Sequence, residues 1–115
     1  MSKTAITSPE LAPPVGPFSQ AIEVGGFIYF SGQVGQDPTT GTLVAGGIAA
    51  ETDRLFENLS AVLKATGRSF DDVVRAGVYL ANMNDFVAMN GIYAKHFSQP
   101  FPARTTIWVA ALPLG

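Results

Sequence analysis

Residues 101–112, Phe-Pro-Ala-Arg-Thr-Thr-Ile-Trp-Val-Ala-Ala-Leu, predict the strand around which the rest of the chain is arranged. Pro102 has a fixed φ and no N–H, so it marks the end of a connection and the entry to a strand. From Arg104 to Leu112 the residues are β-branched or apolar, and they separate by parity, as the two faces of a strand do. One face is apolar and comprises Thr105, Ile107, Val109 and Ala111; the other comprises Arg104, Thr106, Trp108 and Ala110.

The face that carries Arg104 combines a guanidinium, a hydroxyl and an indole, which is more typical of a binding wall than of a plain core. An arginine at the start of a strand is nevertheless most often a solvated surface charge. From this strand alone, both interpretations stay open.

Upstream, the pattern predicts a β-hairpin, a helix, a strand and a second helix. The runs 20–24 and 27–31 flank Gly25-Gly26, a two-residue turn that closes tight hairpins. After a predicted loop over 35–47, apolar residues recur at helical spacing over 48–65, and Gly67 stands where a left-handed C-cap belongs. Residues 73–81 alternate as a strand does; the segment 82–85, Asn-Met-Asn-Asp, then offers an N-cap and an acidic first turn for a second helix that runs to about residue 97.

This order of elements predicts an α+β fold, in which two helices cover one face of a sheet. The opposite face then has no helix to cover it. We expect that uncovered face to bear Arg104, Thr106 and Trp108 and to contact another subunit, which would place a site between chains.

Composition narrows the class of protein. The length of 115 residues fits a single domain, 1–115. Charged residues are 14% of the chain, against about 25% in a typical globular domain, which indicates a surface partly buried in a homo-oligomer. The net charge is −2 and the seven basic residues are scattered, so nucleic acid is not an expected partner.

The chain also lacks the signals of membrane insertion and export. No apolar run reaches membrane-spanning length, and the N-terminus has no signal-peptide core. Cysteine is absent, which excludes disulfides and thiolate chemistry. We therefore expect a cytoplasmic protein with no membrane partner.

Few side chains offer catalytic chemistry. The single histidine, His96, has no motif around it, so a catalytic triad is disfavoured, and no set of ligands suggests a metal. Asp71-Asp72 lies between a loop and a strand, where caps and turns are more common than acid–base roles. Asn90 lies on the apolar stripe of the second helix with Phe86 and Tyr93; it either ties down a neighbouring loop or orients a loop of the site.

Arg104 is the remaining candidate. A guanidinium presents a fixed fork of donors that matches a carboxylate with two hydrogen bonds, so an arginine in a lined pocket is suited to anchoring a small organic acid. With no conventional base near it in the sequence, any reaction has to be easy, or has to rely on ordered water and backbone groups.

Five short motifs then occur in order over nearly the whole chain: GPFSQA (16–21), YFSGQ (29–33), DFVAMN (85–90), PARTT (102–106) and ALP (111–113). They resemble the motifs of the RidA/YjgF family of enamine/imine deaminases. The resemblance implies a chorismate-mutase-like α+β fold and a homotrimer with three clefts between subunits. It also implies hydrolysis of reactive 2-enamines and 2-imines, such as 2-aminoacrylate, to 2-oxo acids and ammonia, without a cofactor, as a form of metabolite damage control.

The resemblance carries individual roles onto this sequence. It implies that Arg104 holds the substrate carboxylate, that Ser31 and Gly32 line the cleft, and that Asn90 supports it. The substrate partner implied is a small 2-imino or 2-oxo acid.

The sequence differs from the family pattern at Phe18, at Thr106 and at its C-terminal end. Phe18 stands where many members have a tyrosine, which removes a hydroxyl but keeps a ring that can pack on substrate. Thr106 falls where some members have cysteine, and its backbone carbonyl is expected to help hold the attacking water. Members usually continue past the Leu-Pro motif into a final strand with a glutamate that is thought to help activate water, whereas this sequence ends at Gly115. Either the chain is truncated or the domain lacks that strand.

Two alternatives accompany this interpretation. The first is a non-catalytic trimer that binds small acids or a partner protein through the same cleft. The second is an endoribonuclease, an older label within the family, which neither the charge nor a histidine pair supports.

Overall fold

The computed structural model describes residues 2–115 and contains, within that range, two α-helices and five strands. In chain order they are β1 (Thr4–Ile6), β2 (Ala21–Val24), β3 (Phe27–Phe30), α1 (Gly47–Thr66), β4 (Arg75–Leu80), α2 (Phe86–His96) and β5 (Ala103–Trp108). Short 3₁₀ turns cover Phe70–Asp72 and Met83–Asp85. The predicted order of hairpin, helix, strand, helix and strand is confirmed.

The predicted hairpin is formed by β2 and β3, which pair antiparallel with Val24 opposite Phe27. Gly25 and Gly26 have φ values of 60° and 82°. Both values lie in the left-handed region that a tight two-residue hairpin turn requires and that glycine adopts at little cost. β1 pairs antiparallel with the other edge of β2. The sequence pattern did not predict this strand of three residues.

The predicted C-cap of α1 is confirmed, whereas the predicted N-cap of the second helix caps the 3₁₀ turn before α2 and not α2 itself. Gly67 closes α1 with φ 73°, and its N–H donates to the carbonyls of Leu63 and Lys64. Before α2, Oδ1 of Asn82 accepts from the N–H of Asn84 at 2.9 Å, which caps the 3₁₀ turn that leads into the helix.

The strands β4 and β5 pair in parallel and are connected through α2. Their register places Arg104 beside Ala76 and Thr106 beside Val78. The two helices pack together, and the core lies between them and this strand pair. Its buried members are Phe56, Leu80, Met89, Ile92, Tyr93 and Phe97. The expected α+β fold is confirmed. The expected single sheet is not: the strands form one sheet of order β1-β2-β3 and a second of order β4-β5.

The prediction that Arg104 lies on the uncovered face is wrong. Arg104 and Thr106 do share a face, but α2 lies against it, because Arg104 contacts Asn90 and Tyr93 of that helix. A strand–helix–strand crossover takes one hand almost without exception, and this hand decides which face of the pair the helix covers. Alternation along β5 reveals which residues share a face, but not which face is covered.

The opposite face of the β4–β5 pair is exposed and partly apolar. It presents Tyr79 and Ile107, which are paired in the register and are 55% and 42% exposed. Nη2 of Arg75 donates to Oγ1 of Thr105 at 2.6 Å on the same face. The aromatic side chains of Phe27 and Tyr29 on β3 are also exposed. We call Tyr79, Ile107, Phe27 and Tyr29 the exposed strand residues.

Neither helix within residues 2–115 combines the length and the apolar character that crossing a membrane requires.

Candidate functional site

The candidate site is centred on the guanidinium of Arg104, where β5 meets α2. Nη1 of Arg104 donates to Oδ1 of Asn90 at 2.6 Å. The guanidinium carbon lies 4.7 Å from the ring centroid of Tyr93 and 5.7 Å from that of Phe86. These three partners are spaced three and four residues apart on α2, so they form one stripe of the helix, and that stripe faces the arginine.

Among the described residues, the charge of Arg104 has no acidic partner. The side chain is half-buried, and none of the ion pairs among residues 2–115 involves it. Within the same range, Nε and Nη2 make no hydrogen bond. A partly desolvated guanidinium held only by an amide and two rings favours an anion, and its unbonded Nε–Nη2 edge has the geometry for a carboxylate.

Thr106 lies two residues further along β5 on the same face. It pairs with Val78 and is half-buried. Trp108 has the same parity but lies at the end of the strand, about 13 Å from Arg104 by strand rise. Its indole N–H donates to the carbonyl of Ala81 at 2.8 Å, and the ring is exposed. Of the two predicted companions of Arg104, Thr106 is thus the nearer.

The other predicted site residues gather around β2 and β3. Ser31 follows β3; its N–H donates to the carbonyl of Gln20 at 3.0 Å and its hydroxyl donates to the carbonyl of Ser19. A Cβ placed on Gly32 would have no atom within 4 Å, so this residue faces open space. Phe18 is 55% exposed. These residues therefore present accessible surface beside the hairpin.

Arg104 and Thr106 lie on β5 of the two-stranded sheet, and Asn90 of α2 bonds to Arg104. Ser31 and Gly32 follow β3 of the three-stranded sheet, and Phe18 precedes β2 of that sheet. Along the described chain, no hydrogen bond or cation–π contact joins the two groups.

Sequence reasoning missed the residue that holds the loop after Gly32. Asn58 of α1 is 2% exposed, and its Nδ2 donates to the carbonyls of Val34 at 3.2 Å and Gln36 at 2.9 Å. Its Oδ1 accepts from Nε and Nη2 of Arg54 at 3.0 and 2.9 Å. The loop-tying role considered for Asn90 thus belongs to Asn58, and the same signal, an amide on an apolar helical stripe, was present there.

His96 takes no part in the arginine site. Its ring stacks on Phe56 with centroids 4.2 Å apart and planes within 5°. It borders a surface groove between the helices, which is also lined by Glu10, Glu57 and Lys64. This groove shares no lining residue with the surroundings of Arg104.

The fold and the site define a class: a small α+β domain whose candidate site is built on a half-buried arginine without an acidic partner. The chain belongs to the family described as endoribonuclease L-PSP, whose sequence profile matches residues 9–115. The resemblance to the RidA/YjgF family is therefore confirmed.

Relatives and solved structures agree on this family. The chain is 45% identical over 114 residues to a 2-iminobutanoate/2-iminopropanoate deaminase of Dermatophagoides farinae, covering 98% of this chain and 89% of that protein. It is 48% identical over 101 residues to the human protein of the same name, covering 88% and 74%. The crystal structure of RidA from an Antarctic Psychrobacter matches with a TM-score of 0.91 and 40% identity, covering 97% of this chain and 90% of that one.

Proposed function

We propose that this protein is an imine deaminase, which hydrolyses reactive 2-enamines and 2-imines, such as 2-aminoacrylate and 2-iminobutanoate, to 2-oxo acids and ammonia. Relatives at 45% and 48% identity are named 2-iminobutanoate/2-iminopropanoate deaminase. The observation that carries the proposal is the state of Arg104: half-buried, held by neutral groups, and with one guanidinium edge unbonded along the described chain.

The substrate carboxylate binds the Nε–Nη2 edge of Arg104 in this proposal. Asn90 occupies Nη1 on the other side, so the carboxylate meets two parallel donors without competition from the amide. This contact fixes one end of the small acid and leaves its imine carbon a short distance away. Binding then converts the attack of water into a reaction between positioned groups.

The chemistry requires only water. An enamine first tautomerises to the imine by gaining a proton at carbon and losing one from nitrogen. Water adds to the C=N carbon, which forms a C–O bond and moves the π electrons to nitrogen. The oxygen gives up both of its protons and becomes the carbonyl of the 2-oxo acid, while the nitrogen gains two protons and leaves as ammonia when the C–N bond breaks. The backbone carbonyl of Thr106, whose side chain shares a face of β5 with Arg104, is proposed to help hold the attacking water.

We further propose a homotrimer with the site between subunits. The placement of Arg104 and Thr106 on one sheet and of Ser31 and Gly32 after a strand of the other sheet is compatible with it, because a neighbouring protomer can bring the second pair to the first. The exposed strand residues supply apolar surface for the contact. The low fraction of charged residues, 14%, is in keeping with such burial.

A second function, binding of small acids without turnover, uses the same anchor. The groups that contact Arg104 are an amide and two aromatic rings, none of which is a general base at neutral pH. A carboxylate sensor needs Arg104 and a lined cleft but no base. Both functions therefore predict saturable binding of a 2-oxo acid, and only the first predicts ammonia release.

The test is release of ammonia and 2-oxobutanoate from 2-iminobutanoate that an amino-acid oxidase generates in the assay. Arg104→Ala should abolish the accelerated release, and Arg104→Lys should restore little of it because an ammonium lacks the planar fork. Arg68→Ala, which removes an exposed arginine elsewhere, is the matched control. Equal rates for the parent and Arg104→Ala would reject the proposal, and binding without turnover would favour the second function.

A further inference from the structure

Tyr93 lies beneath the charged group of the candidate site and nothing so far assigns it a role there. Its ring centroid is 4.7 Å from the guanidinium carbon of Arg104. Cations positioned within about 6 Å of an aromatic face are attracted by the negative potential above it, and the attraction grows when water is excluded. Tyr93 is only 8% exposed, so this contact is largely desolvated.

The hydroxyl of Tyr93 does not explain why a tyrosine is there. It is a buried oxygen that has no hydrogen-bond partner within the described residues. A hydroxyl buried in this way is costly rather than stabilising. The ring, in contrast, packs tightly against its neighbours, at 4.6 Å from the ring of Phe97 and 6.0 Å from that of Phe56. Its orientation is therefore set by the core.

Phe86 approaches the same guanidinium from a greater distance, 5.7 Å, and is itself only half-buried. Of the two rings, Tyr93 is thus nearer, more rigidly packed and better shielded from water. Asn90 restrains the guanidinium through a hydrogen bond to Nη1, whereas Tyr93 contacts it with its ring face. The amide and the ring therefore hold the guanidinium by two different contacts.

We propose that Tyr93 is a positioning residue that holds the guanidinium of Arg104 through its ring face, so that the Nε–Nη2 edge is presented to a carboxylate. The proposal rests on the proposed function only in taking a small carboxylic acid as the ligand. It predicts an effect on carboxylate affinity and KM, with a much smaller effect on kcat, because Tyr93 does not touch the reacting atoms.

The test varies the ring electrostatics without changing the ring size. Tyr93→Phe removes the unpaired hydroxyl and is expected to bind 2-oxobutanoate as the parent does, with no loss of stability. Replacing Tyr93 by mono-, di- and trifluorinated phenylalanine then weakens the negative face stepwise. Titration calorimetry should show the affinity falling with each fluorine, by about 2- to 30-fold across the series, the range expected of a cation–π contact.

The same fluorinated series at Phe97 is the matched control, because that ring packs in the same cluster and makes no cation–π contact with Arg104. We expect the affinity for 2-oxobutanoate to be independent of fluorination at Phe97. A flat response at Tyr93, or equal slopes at both positions, would overturn the inference. Loss of affinity in Tyr93→Phe would also overturn it, since the hydroxyl would then be the working group.

The outcomes separate this inference from the proposed function. Fluorine-dependent binding in a protein that releases no ammonia would reject deamination and keep the role of Tyr93. Normal ammonia release together with an affinity that does not depend on fluorination would keep deamination and reject the role of Tyr93. A parent protein that does not bind 2-oxobutanoate at all would overturn both.

Discussion

Nη1 of Arg104 on β5 donates to Oδ1 of Asn90 on α2 at 2.6 Å, and this bond links the parallel strand pair to the helix that covers it. An arginine that would be a solvated charge on an isolated strand is thereby drawn to the covered face. The partner is an amide and not a carboxylate, so the guanidinium is oriented but keeps its full charge for a ligand.

Asn90→Asp should neutralise that charge. The new carboxylate would pair with Arg104 and compete with substrate for it, so we expect KM and the dissociation constant for 2-oxobutanoate to rise about tenfold or more, equivalent to about 1.4 kcal/mol. Asn90→Ala should cost less, because it removes one hydrogen bond without adding a charge. Asn84→Asp, at an exposed position before α2, is the control. Equal dissociation constants for the two Asp variants would contradict this role.

Asn58→Leu should destabilise the domain by about 1 to 3 kcal/mol. The substitution leaves the carbonyls of Val34 and Gln36 without their shared donor, and buried groups that lose a partner carry their full desolvation cost. Urea unfolding measures the loss. Asn84→Leu, exposed, should change stability by less than about 0.5 kcal/mol. A midpoint for Asn58→Leu that matches this control would show that the loop does not depend on the amide.

Alanine substitution of two glycines in one loop should have different effects: Gly35→Ala should lower stability, and Gly32→Ala should lower activity. A Cβ on Gly35 would lie 2.6 Å from Cα and 2.7 Å from the carbonyl oxygen of Glu51, so Gly35→Ala should lower thermal stability by about 1 to 3 kcal/mol. Gly32 has open space around it, so Gly32→Ala should fold normally and instead reduce kcat/KM, since the proposed cleft includes it. Gly35→Ala with parental stability, or Gly32→Ala with parental kinetics, would contradict the respective expectation.

Ile107→Glu should dissociate the proposed trimer. Ile107 is 42% exposed on the face opposite α2, and a charge buried in a subunit contact without a partner is strongly unfavourable. Light scattering should report about three times the chain mass for the parent protein and a single chain for the variant. Val87→Glu, on the exposed side of α2, should leave the mass unchanged. A parent mass of one chain across micromolar concentrations would reject the trimer.

Local chemistry made much of the fold predictable. Gly25-Gly26 indicates a hairpin because consecutive positive φ values suit glycine, and Gly67 marks a helix end for the same reason. The cap at Asn82 needs only an amide oxygen two residues before a free N–H. β1 was not predicted because three residues are too few to show a strand period. Its pairing with β2 also depends on residues 15 or more positions away in the chain.

The sequence predicted which residues form the candidate site, but not how they contact one another. Arg104 and Asn90 were both singled out, one from strand parity and the family motif, the other as an amide on an apolar stripe. Asn58 carries the same signal on α1 and was missed, although its burial makes it the stronger case. Tyr93 gave no signal beyond its place in the core, because an aromatic residue on a helical stripe is ordinarily only a packing residue.

The sequence by itself determined every helix and every strand except β1, the placement of Arg104 and Thr106 on one face and the family, because each depends on neighbours along the chain or on short motifs. Only the tertiary structure decided which face α2 covers, since that follows from the hand of the β4–α2–β5 crossover. The covered face places the Arg104 guanidinium against Asn90 and Tyr93, partly shielded from water and in no ion pair along the described chain. It turns a strand-start arginine into a group that favours a carboxylate.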